Sequence, residues 1–183
     1  DKALNGKIED EIINVKTNDE VMLRAKRIIP QNSKKYRDYV NNNQLPIVLA
    51  RGLWSNLYSW QDFGIELADK GNDVFLIEIT GGPGQDCPTC INYDYNDLVN
   101  SYWPALIGSV QTMMNNSKLA YAGHSNGARV GVSSLEIYNE IGKQDAGFYF
   151  DNKSGEWKTA HMTDNPIDTY VAVGMPGAFE GEN

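Results

Sequence analysis

Residues 119–132 read "LAYAGHSNGARVGV", and the reading of this stretch decides the fold. Leu119–Ala122 is a short apolar run of strand type that breaks at Gly123, and from Ala128 onward the apolar residues return at the spacing of an amphipathic helix. A single serine, Ser125, stands at the break between Gly123 and Gly127. A bend sharp enough to lift one side chain above a sheet brings the neighbouring backbones close together. The flanking positions must then lack a Cβ, and both are glycine. An ordinary strand-to-helix turn would tolerate the same residues, so the surrounding pattern has to discriminate.

Upstream, "EIINVKT" (11–17) and "VMLRAKRII" (21–29) are β-branched runs separated by "NDE", the pattern of an antiparallel strand pair. "LPIVLARG" then gives a buried strand. It is followed by "YSWQDFGIELADKG", with Trp60, Phe63, Leu67 and Ala68 at helical spacing, and by a second buried run, "DVFLIEIT". "YNDLVNSYWPALIGSVQTMM" carries a helical pattern that Pro104 kinks or restarts. Downstream, "ARVGVSSLEIYNEIG" is helical, "GFYFDNKSGEWKT" reads as a hairpin and "DTYVAVG" as one further strand. Strands and helices alternate from Leu45 onward. The expectation is a single α/β domain over 1–183, with a mostly parallel sheet, an antiparallel N-terminal strand pair and functional loops after the strand ends.

In that setting "GHSNG" fits Gly-x-Ser-x-Gly, the strained turn that exposes a nucleophilic serine between a strand and a helix. The chain thereby resembles the α/β-hydrolase superfamily, and more narrowly its lipase and esterase members. "NVKTNDEVMLRAKRIIP" is similar to the opening strand pair, "PIVLARGLWSNLYSWQ" to the strand and oxyanion loop, "GNDVFLIEITGGPG" to the next strand and loop, and "AYAGHSNGARV" to the nucleophile turn. The resemblance implies Ser125 as nucleophile and the backbone N–H groups of Leu53 and Asn126 as oxyanion donors. It also implies carboxylic ester hydrolysis through an acyl-enzyme, a small-molecule or lipid ester as substrate, and no cofactor or metal. The positive end of the helix that begins at Asn126 points at the same spot. In "LARGLW" the chain departs from the family, which commonly has His where Arg51 stands. Trp54, Tyr58 and Trp60 are candidates for lining a substrate pocket, or for core.

A serine hydroxyl needs a histidine to take its proton and an acid to orient that histidine. The chain contains two histidines, His124 and His161. His124 adjoins the nucleophile and should point away from it, and His161 falls before the next strand, at the N-terminal edge of the sheet. Neither is expected to be the base. Fifty-eight residues follow Ser125 in a chain of 183, and a helix, a hairpin and a strand use most of them. The acid and the histidine are therefore expected in a C-terminal remainder of the same hydrolase, with Glu180 and Glu182 reading as solvated tail carboxylates. The competing expectation is a non-catalytic binding or structural module that keeps the turn as architecture.

Acidic residues outnumber basic ones 24 to 16, with the cations scattered, which argues against nucleic acid as a partner. No apolar stretch approaches the roughly 20 residues of a membrane span. Cys87 and Cys90 sit close together in "DCPTC". They read as a local disulfide that stiffens a loop of an exported protein, ahead of a redox pair or half of a zinc site. Asn-x-Ser triplets at Asn115 and Asn152 are compatible with export.

Overall fold

A computed structural model describes residues 7–31, 45–50, 57–77, 94–124, 126–141, 144–163 and 165–173. Strands β1 (Lys7–Lys16) and β2 (Met22–Gln31) pair antiparallel over ten residues. Their connection is closed by Thr17, whose N–H donates to the Val21 carbonyl, whose carbonyl accepts the Glu20 N–H and whose Oγ1 accepts the Val21 N–H, each at 3.0 Å. In β1, Ile13 and Val15 face the core while Ile12 and Asn14 face outward, the period of two that a half-covered strand requires.

Next come β3 (Ile47–Ala50), helix α1 (Leu57–Asp69) and β4 (Val74–Ile77). A helical stretch then runs through α2 (Tyr95–Asp97), a π-turn (Leu98–Tyr102) and α3 (Trp103–Met113). It is followed by β5 (Leu119–His124), α4 (Asn126–Ile141), β6 (Gln144–Asp151), β7 (Glu156–Met162) and β8 (Ile167–Val173). The eight strands form one sheet in the order β7-β6-β1-β2-β4-β3-β5-β8. Neighbours from β4 to β8 pair parallel and the others antiparallel, so β2 and β6 alone run against the remaining six. The fold is α/β with a mostly parallel direction and an antiparallel start, as the alternation of patterns predicts.

Two side-chain clusters hold the layers. The larger joins α3 and the start of α4 to one face of the sheet through Ile13, Val15, Leu23, Phe75, Ile77, Trp103, Leu106, Ile107, Leu119, Tyr121 and Met162. The smaller lies under α1 and contains Ile28, Leu49, Ala68 and Val74. Each such side chain stabilises the fold by about 1.5–3 kcal/mol when fully buried. Between β2 and β4, Arg27 grips the fully buried Asp73 in a bidentate pair, Nε to Oδ1 at 3.0 Å and Nη2 to Oδ2 at 2.6 Å.

The break expected at Pro104 takes the form of the π-turn. Trp103 N–H reaches back five residues to the Leu98 carbonyl, and Pro104 follows with no N–H to offer, so the regular helix restarts at Trp103. Asp94 begins the stretch with a capping box, exchanging 2.9 Å backbone-to-carboxylate bonds with Asp97.

Candidate active site

The four parallel strands end level with one another. Ala50 is in register with Ile77 and with Gly123, and Gly123 with Ala172. This C-terminal edge is where open α/β sheets present their ligands. Between β3 and the edge strand β8, β5 ends with His124 and α4 begins with Asn126, so one residue, Ser125, separates strand from helix in the chain. Ser125 itself lies outside the described residues, as do Leu53, Arg51, Trp54, Cys87, Cys90, Glu180 and Glu182. Tyr58 and Trp60 belong to α1, and their side chains are likewise outside the description.

The two glycines of the motif stand where backbones meet. A Cβ on Gly123 would lie 2.6 Å from the Ala128 backbone, and one on Gly127 would lie 2.7 Å from the carbonyl carbon of Ala50. The first turn of α4 is thus pressed against both the end of its own strand and the end of β3. The segment that begins at residue 51 leaves β3 from that same point. Close approach, not an unusual dihedral angle, accounts for both glycines.

Aromatic side chains hold the same turn from below. Tyr121 Oη accepts a hydrogen bond from Trp103 Nε1 at 2.8 Å and donates to the Gly127 carbonyl at 2.6 Å. Tyr170, in register with Tyr121 on β8, stacks on it with ring centroids 5.4 Å apart and donates to the Ala128 carbonyl. Burial pushes the Tyr170 phenol up to about 12, with the charge of Tyr95 adding to the shift. Farther along α4, Tyr95 hydrogen-bonds Ser133 Oγ at 2.7 Å, and the Arg129 guanidinium lies over its ring. Sequence reasoning did not single out Trp103, Tyr121 or Tyr170. A tyrosine at an inward position of "LAYAG" and another in "DTYVAVG" were the available signals.

The two histidines lie on different parts of the sheet. His124 closes β5 on the side of the strand that carries Ala120 and Ala122, opposite Tyr121 and Gly123. His161 is in β7, paired through Nδ1 with Asp145 Oδ1 at 2.8 Å. The pattern places it in the stretch before the last strand, but the hairpin strand runs on to Met162 and takes His161 into the sheet. The strand order sets it far across the sheet from β5, because β7 is six steps away, or roughly 29 Å at about 4.8 Å per step. A proton acceptor must stand within about 3 Å. Among the described residues no group of three or more His, Cys, Asp or Glu is placed to hold a metal ion, and no helix is long and apolar enough to cross a membrane.

No protein-family model matches the chain, and no curated protein matches it. Solved structures do. The chain is similar to a hypothetical protein from Pseudomonas aeruginosa, with a TM-score of 0.59 and 14% identity over 94% of this chain and 44% of that one. It is similar to a protein assigned as an aryl esterase from Burkholderia cenocepacia, with a TM-score of 0.55 and 14% identity over 91% and 47%. A third is an epoxide hydrolase from Vigna radiata, with a TM-score of 0.53 and 15% identity over 93% and 41%. The fold is therefore α/β-hydrolase-like, and the chain spans less than half the length of each of these proteins.

Proposed function

We propose that the chain is the nucleophile-bearing part of a serine hydrolase acting on carboxylic esters. The reading is carried by one observation: in "GHSNG" a lone serine falls between a parallel strand paired on both sides and the helix that follows it, at the edge where the parallel strands end. Ser125 Oγ attacks the acyl carbon, the alcohol leaves, and water releases the acid from the acyl-enzyme. The N–H groups of Leu53 and Asn126 receive the charge on the carbonyl oxygen, with the first turn of α4 contributing its dipole. The histidine and acid that complete the relay come from a downstream remainder of the same protein. The solved structures similar to this chain include an epoxide hydrolase and a protein assigned as an aryl esterase, which supports hydrolysis as the chemistry. The substrate is a small-molecule or lipid ester. A Cys87–Cys90 disulfide and an extracytoplasmic location belong to the same proposal.

A second reading, a non-catalytic module that binds with this fold, is favoured by the remoteness of His161 from the motif. The protein expressed from its complete coding sequence, treated with a fluorophosphonate and mapped by mass spectrometry, separates the two. Adduct on Ser125 is expected. Labelling elsewhere, or none in a preparation that cleaves p-nitrophenyl esters, rejects the nucleophile.

A further inference from the structure

We infer that Tyr121 and Tyr170 are positioning residues for the oxyanion site, two phenols that fix where the first turn of α4 sits above the sheet. The inference rests on the serine-hydrolase reading above and concerns how its backbone donor at Asn126 is aimed.

The geometry has a direction built into it. An indole N–H is a donor only, so the 2.8 Å bond from Trp103 Nε1 occupies the Tyr121 oxygen as acceptor and leaves the phenol proton for the Gly127 carbonyl, 2.6 Å away. Trp103 and Tyr121 are both buried, so water does not compete for this relay. Tyr170 repeats the arrangement one residue along, reaching the Ala128 carbonyl from the neighbouring strand. Inside an α-helix these carbonyls already serve the amides four residues ahead. The phenols take the remaining lone pairs, so they are not needed to satisfy the backbone. They tie it down.

Three further contacts leave the turn little freedom. The rings of Tyr121 and Tyr170 are within 7° of parallel, so neither moves without the other. Gly131 lets the Tyr121 ring lie flat against α4, since a Cβ there would stand 2.6 Å from Cε1 and 2.8 Å from Oη. From above, Gly127 rests on the Ala50 carbonyl at the end of β3. The turn is clamped between β3 on one side and two hydroxyls on the other. An oxyanion donor works only within a few tenths of an ångström of its target, so a clamp on the adjoining peptides acts on the chemical step and not on substrate affinity.

The test uses the protein expressed from its complete coding sequence, a fluorophosphonate probe and p-nitrophenyl butyrate. Tyr121→Phe is expected to slow labelling of Ser125 and lower kcat by roughly tenfold, with KM changed less than about twofold, after correction for the folded fraction by circular dichroism. Tyr170→Phe, at the less buried hydroxyl, shifts kcat in the same direction and decides the matter if the first variant does not fold. Trp103→Phe removes a buried donor but keeps the Tyr121–Gly127 bond, so it lowers the melting temperature while retaining most of kcat. If Ser125 is labelled in the wild type and both tyrosine variants react at its rate, the positioning role is wrong and the nucleophile stands. If the wild type is not labelled at Ser125, the nucleophile falls and the positioning role with it.

Discussion

Replacing Gly127 with alanine sets two effects of known size against each other. Alanine is favoured over glycine inside a helix by about 1 kcal/mol. Against this, the new Cβ would stand 2.7 Å from the Ala50 carbonyl carbon and 3.2 Å from the Ala50 Cβ. Carbon atoms settle at about 3.5–4.0 Å, so the first turn of α4 must withdraw from β3 by roughly 1 Å. Overpacking against backbone costs about 1–3 kcal/mol, because strand β3 is held on both sides by β4 and β5 and has nowhere to go. The net expectation is a loss of up to about 2 kcal/mol, or at most roughly 4–8 °C in Tm for a domain of this size. A displacement of about 1 Å at a donor costs on the order of 100-fold in rate, so fluorophosphonate labelling of Ser125 falls far more than stability does. Thermal melts and labelling rates on the same preparations provide the comparison. A Gly127→Ala protein as stable and as reactive as the wild type would refute the close packing inferred for this turn.

Other substitutions bear on separate parts of the structure. Arg27→Met leaves the Asp73 carboxylate buried and without its bidentate partner, and urea denaturation is expected to record a loss of about 3–5 kcal/mol. Adding Asp73→Leu to that variant recovers most of the loss. His161→Gln, at the far edge of the sheet, leaves the labelling of Ser125 unchanged, and a large drop would overturn the strand order. Tyr170 titrates at about 12 in the fold, against 10.0 when unburied. Between those values the unfolded chain gives up the proton and the folded one keeps it, so its contribution to stability is complete below about pH 10 and declines as pH rises toward 12. Tyr170→Phe flattens that decline in alkaline melts, leaving the contribution of Tyr149, which burial also raises.

Much of this architecture was legible because local pattern and final environment agree. Three of the four residues of both β3 and β4 are buried, and a continuous apolar run is what a strand covered on both faces requires. Gly123 was legible because it answers a steric demand from Ala128, five residues on, whereas the demand on Gly127 comes from Ala50, far back in the chain, and only the spacing of the motif announces it. Partner choice was not. The hairpin β6–β7 announces itself by alternation, but only the pairs Val15–Tyr149 and Lys16–Phe148 fix it beside β1, and period two carries no record of which edge a strand joins. The Arg27–Asp73 pair links positions 46 apart, and the Tyr170–Ala128 bond positions 42 apart. Their residue types are common, and their meeting follows from topology.

The position of Tyr170 on β8 also bears on order of assembly. Everything else that grips the first turn of α4, from Ala50 to Tyr121, lies at or before the turn in the chain, whereas β8 comes after a helix and an entire hairpin. A chain emerging from the ribosome presents the serine motif well before it delivers the strand that finishes the grip. Until β8 docks, that turn lacks the Tyr170 bond to the Ala128 carbonyl and the ring stacked on Tyr121, so a late strand finishes what the early ones begin.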